Sequence, residues 1–468
     1  MYINTNNSLS MKNSRAPHIR KLVRRSLRKA FAFLPRLLRF SIYRSFVKCD
    51  SDPDARLVLK IADTQDELEA CFKLLHDAYV GSGFMQPDPS GLRATVYHAL
   101  PTTTTLCAKF DGEVVGTISL IRQSRFGFPM QTIFDLSEIH AEKGKIAEIS
   151  ALAVHPRFRK SGGSILFPLM KFMYQYSTTF FDTYHLVIAV NPDRIEMYES
   201  LLFFKRLQKN TVQSYDFANG APAIGATLNL IQAPKLFKKI YGGKPKKKNL
   251  YSYFVKTKLK NIILPTRRYF TTNDPVMTPE MLDYFFNQRT QVFAHLSEHE
   301  KMLLASIYDM PHYQAVLPAV AQPGAGDQDF RQHQRHSLKC RGELTVGDQT
   351  IALQVVEMSE DGFQAHAKSD VPLYVWSGVH IQLGSSETST MQTMAVRGEW
   401  HGDYRYYGFK LGQPDLAWRK FVSALKSGTT AKDLDNATLF LHGHQDFEAI
   451  TLPHALEIPE FDDTRPGH

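Results

Sequence analysis

The stretch AEISALAVHPRFRKSGGSIL, residues 147–166, decides how the chain is read. EISALAV (148–154) has the composition of a strand, and SILFPLMKFMYQYS (164–177) is helical in pattern. Between them lies a turn rich in donors. A strand, a glycine-bearing turn and a helix N-terminus form a cradle for phosphate, because backbone N–H groups point inward and the helix dipole adds positive potential. Gly162 and Gly163 let the backbone come close, and Arg157, Arg159 and Lys160 add charge. Many α/β loops share this outline, so its meaning depends on the surrounding chain.

That chain, residues 56–232, reads as one α/β unit. ARLVLKIA (55–62) is a strand, and ELEACFKLLHDAYV (67–80) is a helix with Leu68, Phe72, Leu75 and Tyr79 on one side. Residues 105–122 are two strands about Asp111-Gly112. HLVIAV (185–190) is a buried-type strand, residues 194–207 a helix, and APAIGATLNLI (221–231) a closing strand.

The 468 residues suit two to four domains, and the 43% hydrophobic content suits a globular core. The net charge of +10 is unevenly placed. Residues 1–49 and 235–273 each carry twelve Lys/Arg and no acid, which leaves −14 on the rest. Two basic segments on an acidic body argue for specific anionic contacts and against a nucleic-acid binder. Four scattered cysteines, Cys49, Cys71, Cys107 and Cys340, form no CxxC pair and read as reduced and cytosolic. No apolar run reaches membrane-span length, and no secretory signal is present at the N-terminus.

In residues 17–48, Ile19, Val23, Leu27, Phe31, Leu34, Leu38 and Ile42 share one helical face, with Arg and Lys on the other and Pro35 as a break. The composition fits an interfacial helix on an anionic bilayer. A mitochondrial transit peptide and a helix packed on its own domain are the alternatives. The block 233–273 interleaves aromatics with Lys, as a membrane contact or a solvated basic loop would. Thr278-Pro279 starts one helix, and Ser297 with Glu300 forms a capping box for the next. Residues 319–328 are a flexible linker, 331–412 are β-rich, 414–425 are a short helix and 428–468 are a tail with few periodic signals. His442, Gly443, His444 and Asp446 in that tail look like metal ligands but read as incidental, so no metal is expected.

The α/β unit resembles the GNAT acyltransferase superfamily. The resemblance rests on Arg159-Lys160-Ser161-Gly162-Gly163-Ser164, close to the pattern Arg/Gln-x-x-Gly-x-Gly/Ala, and on Tyr198-Glu199-Ser200-Leu201-Leu202-Phe203, close to Tyr-Glu-x-x-Gly-Phe. The order of residues 126–154 is similar to the branch holding acyl-homoserine-lactone synthases and FeeM-type N-acyl amino acid synthases. Ala151 stands where that branch has an Arg. The resemblance implies acyl transfer from acyl-acyl-carrier protein, through its phosphopantetheine, or from acyl-CoA, to a small amine or amino acid. Such transfer needs a base for the amine, a donor for the oxyanion and a proton for the thiolate. Glu148 is the candidate base and Tyr198 the candidate acid, with a backbone N–H between strands 148–154 and 185–190 as oxyanion donor. A structural carboxylate and a core aromatic are the alternative readings of the two side chains.

Residues 329–426 resemble the PilZ domain, a small β-barrel that binds cyclic di-GMP. Arg331 and Arg335 match its Arg-x-x-x-Arg, and Glu357, Ser359 and Gly362 fall on its Asp/Asn-x-Ser-x-x-Gly, with Glu in place of Asp or Asn. Paired guanidiniums can fork onto phosphate oxygens and a guanine edge.

The expected fold is therefore α+β multidomain. A basic amphipathic segment (1–55) precedes a GNAT-like α/β acyltransferase domain with a mixed sheet (56–232). A basic and helical linker (233–328), a PilZ β-barrel (329–427) and a tail (428–468) follow. The expected function is an N-acyltransferase regulated by cyclic di-GMP, peripheral at the inner face of a bacterial cytoplasmic membrane. A bacterial host argues against the transit peptide. A non-enzymatic cyclic di-GMP effector and an acetyl-CoA acetyltransferase are the alternatives.

Overall fold

The computed structural model describes residues 33–142, 144–159, 161–208, 211–264, 277–308, 311–320, 335–384, 387–401 and 404–426. Lys160, Arg331, most of the 319–328 linker and the 428–468 tail with its histidines lie outside the described residues. So does the chain before Phe33. Directly after Pro35, helix α1 (Arg36–Ser45) begins, as a proline that cannot continue a preceding helix allows.

The α/β domain is built on one mixed sheet. Its strands are β1 (Leu57–Ile61), β2 (Thr103–Phe110), β3 (Glu113–Arg122), β4 (Lys145–Val154), β5 (Thr183–Val190), β6 (Lys205–Arg206), β7 (Val212–Tyr215) and β8 (Ala221–Asn229). The order is β1-β2-β3-β4-β5-β8-β6, with β7 also paired to β8. Asp111 and Gly112 both take positive φ, 52° and 85°, and close the β2–β3 hairpin. β4 and β5 run parallel, joined by helix α2 (Leu166–Phe180). Helix α3 (Pro192–Leu202) follows β5 and opens with Asn191 accepting from the Asp193 N–H.

Alternation along the strands feeds two cores. Leu106 and Ala108 point into a cluster with Leu169, Phe172 and Tyr176 of α2. Cys107, between them, points into a cluster with Phe72 of the first long helix, Gln65–Gly81. The stretch 277–308 joins that second cluster through Phe285, Phe286 and Leu304, and its Ser297–Glu300 capping box is formed.

In its described part, 233–264, the block after residue 232 is not a solvated loop, and Phe237, Tyr241, Tyr253 and Phe254 are buried. Helix α4 (Ala233–Tyr241) and the π-helical turn Ser252–Lys256 bury Phe237, Tyr241, Leu250, Tyr253 and Phe254 against the α2 face. The lysines stay outside because a strand or helix turned toward an apolar surface can bury only one of its faces.

The second domain is a closed six-stranded antiparallel barrel. Its strands are β9 (His336–Val346), β10 (Gln349–Met358), β11 (Gly362–Ala367), β12 (Trp376–Gln382), β13 (Thr388–His401) and β14 (Tyr404–Leu411), ordered β10-β11-β14-β13-β12-β9. Leu338, Val355, Ile381, Tyr407 and Phe409 fill it. Helix α5 (Leu416–Lys426) caps it with Trp418 and Phe421 fully buried.

Trp418 also donates from Nε1 to the Ser359 carbonyl at 3.1 Å, so it fixes the β10–β11 turn as well as filling space. Trp418→Ala should lower the unfolding free energy of the barrel by about 3–5 kcal/mol, read by denaturant titration of the full chain. A change within ±0.5 kcal/mol would refute this packing.

Candidate functional site

Strand β4 stops pairing with β5 at Glu148, which lies opposite Val187, although both strands continue. Beyond that point Ala151 takes φ +52°, rare for a residue with a Cβ, and the β3–β4 register shifts between Thr117 and Ser119. This bulge turns β4 away from β5. The opening is a cavity of about 210 Å³, with Glu148, Ser150, Ala151, Arg194 and Tyr198 among its walls. The separated edges fall where the sequence reading put the oxyanion donor.

Glu148 is 2% exposed. Its one described hydrogen bond is from the Met130 N–H to Oε2 at 3.0 Å. Burial raises its pKa from 4.5 to about 8, with the Met130 bond opposing weakly. A carboxyl tuned near neutrality, in a cavity and without a cation beside it, is what a proton acceptor needs. Tyr198 sits on α3 in the same cavity, and burial pushes its hydroxyl up to about 12. A hydroxyl that holds its proton is suited to give it to a thiolate and unsuited to act as a base.

The sequence reading missed Tyr215. It ends β7, is 2% exposed and lines this cavity. Its hydroxyl has no hydrogen-bond partner among the described residues. Burial, then the nearby Glu148 charge, push its pKa up. A buried hydroxyl without a partner is a place for a polar group of a bound molecule. No local motif marks Tyr215, because β8 brings it to the cavity from over sixty residues beyond Glu148.

The turn after β4 keeps its two glycines at positive φ, +70° for Gly162 and +94° for Gly163. A Cβ on Gly163 would come within 2.6 Å of the Phe167 ring, so the turn closes only with glycine there. Arg159 donates from Nε to the Val154 carbonyl at 2.8 Å and stays exposed. It therefore braces the turn as well as charging it. Arg157 is exposed over the Phe158 ring. Lys48, which the sequence did not single out, reaches over Gly162 from the N-terminal segment.

The barrel carries a second cavity, of about 120 Å³, where Arg335, Glu357, Ser359 and Gly362 meet. These are the predicted nucleotide residues that the structure describes. Arg397, on β13, joins them and had no motif to announce it. Gly362 is required by the fold itself, since a Cβ there would strike the Phe409 carbonyl. Ser359 Oγ donates to the Gly362 carbonyl at 3.2 Å. Glu357 lies between two cations, Arg335 at 2.9 Å and Lys145 at 3.0 Å. Burial pushes its carboxyl up, but Lys145 and Arg335 outweigh that and hold it below its ordinary value.

Lys145 is the first residue of β4, so Glu357 in the wall of the barrel cavity is paired with the strand that carries Glu148. Neighbouring contacts tie the same ends. Tyr406 donates to Asp182 at 3.1 Å, His366 stands 3.7 Å from Asp182, and Lys339 donates to the Thr178 carbonyl at 3.1 Å. Asp182 in turn accepts the Lys145 N–H through its own carbonyl.

A mixed sheet whose parallel pair parts over an acidic residue, followed by a glycine turn into a helix, is a GNAT-like acyltransferase architecture. Residues 70–229 match the family described as N-acyl amino acid synthase FeeM. No curated protein matches the chain. Similar solved structures include FeeM from uncultured soil microbes, at 25% identity over 38% of this chain and 94% of that one, TM-score 0.33. They also include the CoA-dependent acyl-homoserine lactone synthase BjaI, at 18% identity over 40% and 91%, TM-score 0.31. YcgR from Escherichia coli, solved with c-di-GMP, is similar at 9% identity over 24% of this chain and 50% of that one, TM-score 0.19.

A raised Glu148 pKa means that the folded protein keeps a proton the unfolded chain has released. The stability this contributes is whole below about pH 4.5 and is lost as pH rises through about 8. Glu148→Gln should therefore gain stability over wild type across that window, by about 1.4 kcal/mol per pH unit at most. A pH-independent difference in denaturant midpoints would place the Glu148 pKa at its ordinary value.

Proposed function

We propose that the protein moves a long acyl chain from a carrier-protein or CoA thioester to the amine of an amino acid or similar acceptor. The observation that carries this is an apolar cavity that shares a wall with the cavity of Glu148. The cavity that holds Glu148 shares Ile149, Met170 and Phe204 with a second one whose walls are apolar throughout. An acetyl group would leave that space empty, whereas a hydrocarbon chain would fill it.

The glycine turn, with Arg157, Arg159 and Lys48 around it, holds phosphate of the donor's pantetheine arm; Lys160 is adjacent in sequence. The same exposed cations suit an acidic carrier protein. Glu148 takes a proton from the acceptor ammonium or amine, directly or through water. The nitrogen attacks the thioester carbonyl, the new C–N bond forms, and the oxyanion is held by backbone N–H on the freed edge of β4. The C–S bond then breaks, and Tyr198 gives the thiolate its proton. Proton exchange with solvent restores both side chains. Tyr215 offers its free hydroxyl to a polar group of the acceptor.

Cyclic di-GMP is proposed as the regulatory ligand of the barrel. Arg335 and Arg397 supply guanidiniums for phosphate, and Glu357 and Ser359 supply polar edges for guanine. Arg331 completes this set in the sequence. A phosphate that draws Arg335 from Glu357 changes the charge balance at Lys145, and hence at the root of β4. The address is proposed as peripheral at the cytoplasmic membrane face. No described helix is long and apolar enough to cross a membrane. On α1 the arginines bind the domain, Arg39 to Glu196 and Arg36 to Glu199, while Phe33, Leu37 and Phe46 on or beside α1 are exposed. Those apolar side chains, rather than the arginines, suit insertion into lipid.

Lipid mass spectrometry of cells expressing wild type or Glu148→Gln tests the reaction. Wild type should accumulate acylated amines, and the variant should lose at least about a hundredfold. In vitro the wild-type rate should climb with pH to about 8 as Glu148 ionises. Equal product from both proteins would end the assignment of Glu148 as base.

Arg335→Ala should weaken cyclic di-GMP binding by about ten- to a hundredfold, measured by calorimetry. Lys145→Met should keep nucleotide binding but flatten the response of acyl transfer to it. Undiminished affinity in the first variant would remove Arg335 from the nucleotide site.

A further inference from the structure

The match to the synthase family ends at residue 229, and the chain directly after it builds one wall of the apolar cavity. That cavity is walled by apolar surface throughout. Ile149, Met170 and Phe204 form a wall common to it and to the cavity of Glu148, and Phe237 of α4 and Phe254 of the π-helical turn stand in the added wall. The two rings meet edge to face with centroids 5.7 Å apart, and Phe237 leans likewise on Phe203 at 4.9 Å.

Behind Phe254 lies a lysine that needs an explanation. Lys171 of α2 is 1% exposed and has no carboxylate partner among the described residues. Its Nζ donates to the Phe254 carbonyl at 3.0 Å and lies 5.9 Å from the Tyr253 ring centre. Burial lowers its pKa to about 8. A methionine would fill the same space without a desolvated ammonium, but it would leave the Phe254 carbonyl unpaired. The polar contact therefore fixes the height of the π-helical turn over the cavity.

We propose that this added segment sets the length of the acyl chain: Phe254 and Phe237 end a hydrocarbon pocket that begins beside Glu148, and Lys171 is the positioning residue that fixes Phe254. The inference rests on the acyl-transfer reading. A wall gauges chain length only if it cannot give way, and a pocket with a fixed end discriminates by about tenfold or more per methylene. Packing by aromatic rings alone allows the turn to slide, whereas a hydrogen bond from a buried ammonium does not.

The test uses the full chain as wild type, Phe254→Ala, Phe254→Trp and Lys171→Met, with two readouts. One is the chain-length profile of N-acyl products in expressing cells, by mass spectrometry. The other is calorimetric binding of straight-chain fatty acids of increasing length to the purified proteins. Phe254→Ala should move both optima to longer chains, and Phe254→Trp should move both to shorter ones. Lys171→Met should broaden both profiles while the best chain is still processed. If Phe254→Ala does not fold, the Trp variant alone decides. A shift in fatty-acid binding without any N-acyl product would keep the pocket and remove the acyl-transfer reading. Unmoved fatty-acid binding optima in folded Phe254 variants, or no chain-length dependence in the wild type, would overturn the proposal.

Discussion

Strand β4 can pair with β5 for only four residues, from Lys145 to Glu148, before the bulge at Ala151 turns it aside. A residue with a Cβ at positive φ costs on the order of 1 kcal/mol, and the β3 pairing that resumes at Ala153 and Val154 holds it there. The features around the Glu148 cavity meet on this one strand. Its first residue touches the barrel, its fourth is the buried carboxyl, its middle opens the cavity, and its end enters the glycine turn. Straightening β4 would close the cavity and misplace the turn together. That is why the strain stays: it is the hinge between the site that would hold phosphate and the site that would hold the amine.

Buried charge follows the same plan. Glu148, Lys171 and Asp182 are all nearly inaccessible, yet their surroundings differ. Asp182 is matched by Tyr406 and His366 and stays below its ordinary pKa, despite the burial that pushes it up. Lys171 has a carbonyl alone, so burial brings it down. Glu148 has one N–H and no cation, so burial brings it up. Partnered charge joins parts of the structure, and under-partnered charge is tuned toward neutrality. Only the second kind can exchange a proton near pH 7.

Much of the fold was readable from the chain because its signals are local. The strand–turn–helix around Gly162 and Gly163, the Asp111-Gly112 hairpin and the Ser297–Glu300 capping box each depend on residues a few positions apart. Glu148, Tyr198, Arg335 and Ser359 were readable as motif members. What was not readable depends on distant packing. Tyr215 and Arg397 reach their cavities through strand order, which no short pattern encodes. The aromatics of 237–254 look like a membrane contact in sequence because periodicity shows an apolar face without showing what covers it. Here the face is covered by α2. Arg159 is a third case, since its charge was legible but its hold on the Val154 carbonyl was not.

The one residue that departs from the barrel's expected pattern explains itself through this packing. Position 357 should be Asp or Asn if its whole task were to accept from a guanine. As Glu it carries one more methylene, and its two oxygens divide between partners in different domains: Oε1 to Arg335 at the start of the barrel, Oε2 to Lys145 of β4. A shorter carboxylate on the same backbone would have less reach toward both. The extra methylene thus converts a ligand-binding position into a junction. When Arg335 is engaged elsewhere, Glu357 keeps a single cation, and that cation is the residue on which the active-site strand begins. The Glu357–Lys145 pair is thus a direct contact between the barrel cavity's wall and the root of β4.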